Sequence, residues 1–110
     1  MARRDDVADL EEFGRFAELA LLILVSLADG PKHGYAITED VADFAGVRFG
    51  PGSLYGAIAR LESRGLIEAL EATERRNPYR LTAVGEQALS ARLASMQAVA
   101  NVGQKRLAHA

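Results

Sequence analysis

The chain has 110 residues, 49% hydrophobic and 25% charged, with no cysteine and a formal net charge of −2. That length suits a single domain, the composition argues against a disordered chain, and the missing thiol excludes a disulfide framework, a thiolate nucleophile and a cysteine-ligated metal. The net charge speaks against a nucleic-acid binder only as an average: residues 1–43 hold four basic and ten acidic side chains, residues 44–110 nine and five, and such an asymmetry tells more than the total.

Residues 1–12 are mostly charged, with Val7 and Leu10 the larger apolar exceptions, and read as a loosely docked arm with helical potential. Arg3 and Arg4 are followed by acidic residues and not by an apolar stretch, unlike a secretory signal. A strongly apolar first helix is predicted from about Glu12 to Ala28, with Leu19, Leu22, Ile23 and Leu27 on one face. Ala20, Leu24 and Val25 occupy its flanks, so most of its circumference must be covered. The uncharged run Leu19 to Ala28 is ten residues long, against roughly 20 for a membrane span. It reads as a buried helix of a cytoplasmic protein with no membrane partner. Asp29-Gly30-Pro31 stops it.

A second helix is predicted from about Gly34 to Phe44, with Ile37, Val41 and Phe44 inward and Thr38, Glu39, Asp40 and Asp43 outward. Gly46 and the segment from Phe49 to Gly52 form the next break. The third helix begins near Pro51 or Ser53, turns Leu54, Ile58 and Leu61 inward, and ends at Gly65. Leu66 to Leu70 and Tyr79 to Leu81 are short extended stretches joined by a polar tip, Glu71 to Pro78, which makes a hairpin. A long last helix starts at Thr82 as N-cap and runs towards Leu107.

The predicted fold is therefore mainly α. A winged helix-turn-helix of three helices plus a two-stranded β-wing spans residues 13–82, and a long C-terminal dimerisation helix spans 83–110.

Three segments carry the chemistry. Opposite its core face the third helix holds Gly56, Ala59, Arg60 and Ser63, with Ser53 and Tyr55 at its N-terminal end. Small residues let a helix sink into a major groove about 12 Å wide, where Arg60 reaches phosphate or a guanine edge. The bland alternative is a helix whose Gly and Ala pack on a neighbour. In the hairpin, Arg75, Arg76 and Arg80 cluster where a wing follows the DNA backbone. Alternatively these arginines pair with Glu71 and Glu74 and only keep the tip soluble. In the last helix, Leu89, Leu93, Met96, Ala100, Gly103 and Leu107 repeat at the 4-3-4-3-4 spacing of a coiled-coil seam, widened by Val99 and Val102. A helix near 38 Å long cannot cover that stripe on a small domain, so a homodimer is expected over a helix folded back on its own core.

Catalytic readings fail. His33 and His109 are the only histidines and lack ligand partners one turn away. Glu39, Asp40 and Asp43 share a helix surface without His or Cys, which is a solvated acidic face before it is a cation site. No phosphate-cradling glycine loop is present. No enzyme, cofactor or metal is expected.

The segments HGYAI at 33–37, GPGSLYGAIARLESRGLIE at 50–68 and YRLTAVGEQAL at 79–89 resemble the PadR-type winged-helix transcriptional regulators, from about Phe16 to Leu107. Ser53, Leu54 and Tyr55 match the start of that family's recognition helix, and Leu61, Gly65 and Leu66 its end. Gly34 and Tyr35 match the turn into the second helix, and Tyr79 to Thr82 the strand leading into the last. Arg76 holds a matching basic place in the wing, whereas Glu74 falls where a basic residue is frequent. The resemblance implies a prokaryotic homodimeric repressor on a palindromic operator in double-stranded DNA. It also implies release by a small apolar or aromatic effector, a phenolic acid in the founding case, bound near the dimer interface where the first helix and Met96 lie. The expected DNA contacts are Lys32, His33, Tyr35, Ser53, Leu54, Tyr55, Gly56, Ala59, Arg60, Arg75, Arg76 and Arg80. A winged-helix protein–protein module without DNA is the competing reading, motivated by the acidic first half and Glu74.

Overall fold

The computed structural model describes residues 4–71 and 77–110, and for residues 4–15 the backbone alone. The elements are α1 (Arg4–Leu27), α2 (Gly34–Ala45), α3 (Pro51–Ser63), β1 (Ile67–Ala69), β2 (Tyr79–Leu81) and α4 (Ala83–Ala108). This is the expected winged-helix order, with the last helix at the expected length.

α1 begins at Arg4 and not near Glu12. Residues 4–12 hold too few apolar positions to show a period, yet Asp5, Asp6 and Asp9 are acids at the helix's electropositive end, where they favour it. Further along, Phe16, Ile23, Leu24 and Leu27 are buried, and Leu19 to Leu22 and Val25 are half-buried. Ser26 is buried among them and donates its hydroxyl to an Asp40 carboxylate oxygen at 2.8 Å. Asp40, expected outward, is therefore half-buried and ties α2 to α1. Leaving that buried hydroxyl unpaired costs about 1–3 kcal/mol, which is why it has a partner.

Ile37 and Val41 of α2 are fully buried as expected, but Phe44 is 47% exposed. Its helical phase points inward, but every residue from Asp43 to Gly46 is exposed, so none of the described residues covers the last turn of α2. α3 contributes Leu54, Ala57, Ile58 and Leu61 to the core. Each large aliphatic side chain buried here stabilises the fold by roughly 1.5–3 kcal/mol.

β1 and β2 pair antiparallel, with Ile67 opposite Leu81, Glu68 opposite Arg80 and Ala69 opposite Tyr79. Ile67 enters the core. Lys32, between α1 and α2, exchanges both backbone hydrogen bonds with Tyr79, at 3.0 and 2.9 Å, and so adds one residue of a third strand.

The start of α4 is stitched to the end of α3. Thr82 donates its amide to the Leu66 carbonyl and its hydroxyl to that of Gly65, while its oxygen accepts from the Gly85 amide at 3.0 Å. Gly85 is required there, because a β-carbon on it would collide with the Leu66 carbonyl oxygen. Beyond Leu89 every residue of α4 is exposed. The radius of gyration is 16.2 Å, against about 13 Å for a compact domain of this length. α4 stands away from the core.

Candidate nucleic-acid interface

The outermost strip of α3 is Gly52, Gly56, Ala59 and Ser63, all exposed. A β-carbon placed on Gly52 or Gly56 meets nothing within 4 Å, so among the described residues the strip is open, bordered by a groove that both glycines share with Phe16 and Leu19 of α1. Ser53 is exposed at the helix start. Leu54, expected among the contacts, is 3% exposed and belongs to the core, where it anchors the helix that carries the others.

Two aromatic side chains flank this strip. Tyr35, in the first turn of α2, is 68% exposed and Tyr55 is 50% exposed. The Tyr55 ring lies across Gly34, where an added β-carbon would fall 2.5 Å from its hydroxyl oxygen. Glycine at 34 is what lets the two helix starts approach. His33 is exposed and accepts the first α2 bond from the Ile37 amide at 3.0 Å, its ring forming no cap.

The cations behave differently from their reading in the sequence. Arg60 lies on the α1 side of α3, its guanidinium 4.8 Å from the centre of the Phe16 ring, with Arg64 at 4.9 Å from the same centre. Lys32 donates to the Asp29 carboxylate and to the Ser26 carbonyl, closing the C-terminal end of α1. Its hydrogen bond and charge hold Asp29 below the usual carboxylate range. Arg80 pairs with Glu68 directly across the hairpin. Arg75 and Arg76 lie outside the described residues.

Arg48, between α2 and α3, is a cation the residue pattern did not single out. It makes a two-pronged contact with Glu39, Nη1 to Oε1 at 2.9 Å and Nη2 to Oε2 at 3.3 Å. The hydrogen bond lowers the Glu39 pKa and raises that of Arg48, and their mutual attraction acts in the same direction. Nine residues and a turn separate the two, so no helical spacing flags the pair. Both line a groove of about 500 Å³ together with Tyr35 and Tyr55.

The stripe of α4 divides. Leu89 is buried within its own subunit's core and is not free for a seam. Leu93, Met96, Val99, Val102 and Leu107 are exposed, Val99 by 70% and Leu107 by 79%, and Ala100 and Gly103 are exposed beside them. Among the described residues no helix is long and apolar enough to cross a membrane.

Comparison with known proteins agrees with this geometry. The Transcriptional regulator PadR-like family model matches residues 23–91, from the end of α1 into α4. An uncharacterised 37.1 kDa protein in transposon Tn4556 of Streptomyces fradiae is 46% identical over 82 residues, which cover 74% of this chain and 24% of that protein. The transcriptional regulator Rv3488 of Mycobacterium tuberculosis is 36% identical over 84 residues, covering 74% of this chain and 77% of its own. The crystal structure of a PadR family transcription regulator from Clostridium difficile superposes with a TM-score of 0.74 at 26% identity, over 81% of this chain and 97% of that one. The chain thus spans about a quarter of the transposon protein and most of the other two. The family is one of regulators and not of enzymes. Helix order, the open strip on α3 and a match running through both agree: the chain belongs to the PadR-like family of transcriptional regulators.

Proposed function

We propose that the chain is a cytoplasmic, dimeric, sequence-specific DNA-binding repressor on a palindromic operator. The observation that carries this reading is the open strip Gly52, Gly56, Ala59 and Ser63 on α3, flanked by the exposed Tyr35 and Tyr55. A helix with such a surface enters a major groove to backbone depth, and its first turns meet base edges. Ser53, Tyr55, Gly56 and Ala59 are the proposed groove contacts, with His33, Tyr35 and Lys32 at the adjoining backbone and Arg75, Arg76 and Arg80 in the wing. The exposed apolar ridge from Leu93 to Leu107 supports pairing of two α4 helices. Pairing sets two α3 helices on half-sites about 34 Å apart. Repression and release by a small aromatic effector rest on the family resemblance.

Fluorescence anisotropy with a duplex from the promoter of the chain's own gene tests this reading. Salt-dependent binding that prefers that duplex over a random one is the expected result, and Arg76→Ala should lower the salt slope by about 1 on both. Equal, salt-independent retention of the two duplexes overturns it.

A second reading, a winged-helix protein–protein module, is favoured by one observation: Lys32, Arg48 and Arg80 are each already paired with a carboxylate. It is excluded by specific shifting of a defined duplex by the purified chain.

A further inference from the structure

The groove between the starts of α2 and α3 gathers hydrogen-bond donors around one charged pair. Tyr35 and Thr38 line it from α2, Tyr55 from α3, and Arg48 enters from the connecting loop with Phe49 beside it. The tyrosine hydroxyls and the guanidinium suit the oxygens of a phosphodiester, the Thr38 hydroxyl being already donated to the Gly34 carbonyl at 3.2 Å, and the apolar surface of Phe49 suits a deoxyribose face. The anion now facing Arg48 is Glu39, held in the forked geometry that arginine also offers to phosphate.

We propose that Arg48 is a phosphate-contact residue of the DNA interface and that Glu39 occupies its fork until a DNA phosphate displaces it. This inference rests on the DNA-binding reading and adds to it a residue and a built-in competitor. Arg48 is exposed and Glu39 partly so, and their pairing is weak enough to exchange. A phosphate at that position accepts the same two N–H bonds, and the exchange leaves Glu39 to water. The pair therefore tempers non-specific attraction: any duplex must first remove Glu39 from Arg48, and only one that also satisfies α3 regains what the exchange costs. The local carboxylate thereby lowers affinity for every duplex alike and leaves the choice of operator to α3.

The test is a mutant cycle on the full chain, read as anisotropy with labelled own-promoter and random duplexes across a salt series. Glu39→Gln is expected to tighten both duplexes about 2- to 5-fold and to steepen the salt slope. Arg48→Ala is expected to weaken both by a similar factor and to flatten the slope by about 1. In the Arg48→Ala background, Glu39→Gln should lose most of its effect, because its target is gone. If the wild-type chain binds DNA while both single variants bind as it does, the inference is overturned and the DNA reading stands. Full tightening by Glu39→Gln without Arg48 also overturns it, since that is removal of a distant charge. A wild-type chain that binds no duplex fails the DNA reading itself and this inference with it.

Discussion

The guanidinium of Arg60 rests over the ring of Phe16, 4.8 Å from its centre, and so links α3 to α1. Arg64, one turn later, uses the same ring. Arg60 is thus held against α1, and the DNA contact expected of it requires that it leave that ring. Arg60→Ala is expected to cost about 0.5–1 kcal/mol of stability, the worth of a cation–π contact at a solvent-accessible site. It should weaken own-promoter binding while leaving the dimer intact. Phe16, 8% exposed, should cost about 3–5 kcal/mol when cut to Ala. Urea unfolding of Arg60→Ala in wild-type and Phe16→Leu backgrounds separates the contact from the rest. An equal cost in both means that the stacking contributes nothing.

Gly85 and Gly34 both mark close approaches, with different consequences. At Gly85 the obstructing atom is the Leu66 backbone carbonyl, which also accepts the Thr82 amide and cannot retreat freely. Gly85→Ala is expected to destabilise by about 1–3 kcal/mol or more, seen as a lower urea midpoint. At Gly34 the obstruction is the end of the Tyr55 side chain, which can swing away. Gly34→Ala should cost less stability but weaken duplex binding by displacing Tyr55. The opposite ranking in urea would contradict this account.

Along α4 the buried and exposed parts of one apolar stripe should separate by phenotype. Leu89→Ala removes a buried side chain from its own subunit and is expected to cost about 2–5 kcal/mol. Val99→Asp and Val102→Asp place charges on the exposed ridge and should convert a dimer to a monomer in light scattering, with a large loss of operator affinity. A dimer that persists in both Asp variants would place the subunit contact elsewhere.

Tyr79 should titrate late. Burial raises its pKa above the ordinary tyrosine value, and the nearby Glu62 charge and Tyr55 raise it further. Because the folded chain holds this proton more tightly than the unfolded one, the associated stability is complete below about pH 10 and is lost as pH rises through the higher folded value. Phenolate absorbance should therefore show a late component that Tyr79→Phe removes. An unchanged high-pH edge in Tyr79→Phe would contradict the assignment.

Helix order, hairpin and the Thr82 N-cap could all be read directly from residue spacing, because apolar periodicity and Gly–Pro punctuation are local signals. So could the small-residue strip of α3, since a core phase at Leu54, Ile58 and Leu61 dictates what lies opposite. Leu54 joins the expected contacts only through its match to the start of the family's recognition helix, although its phase already places it inward, where it is buried. Phe44 erred the other way: phase gives direction but not whether anything packs there.

What spacing could not supply is pairing between segments. Composition and charge division pointed to a basic second half, and the residues fixed by periodicity alone set the fold. Which of those charges is free is a matter of distance across turns: Arg48 meets Glu39, Arg80 meets Glu68, and Arg60 meets Phe16. These partners come from different elements, and a side chain's electrostatic surroundings depend on every element packed nearby. Two arginines of the basic half, Arg48 and Arg80, are thus met by carboxylates and two more, Arg60 and Arg64, are held on an aromatic ring, a result of tertiary packing that no count of residues contains.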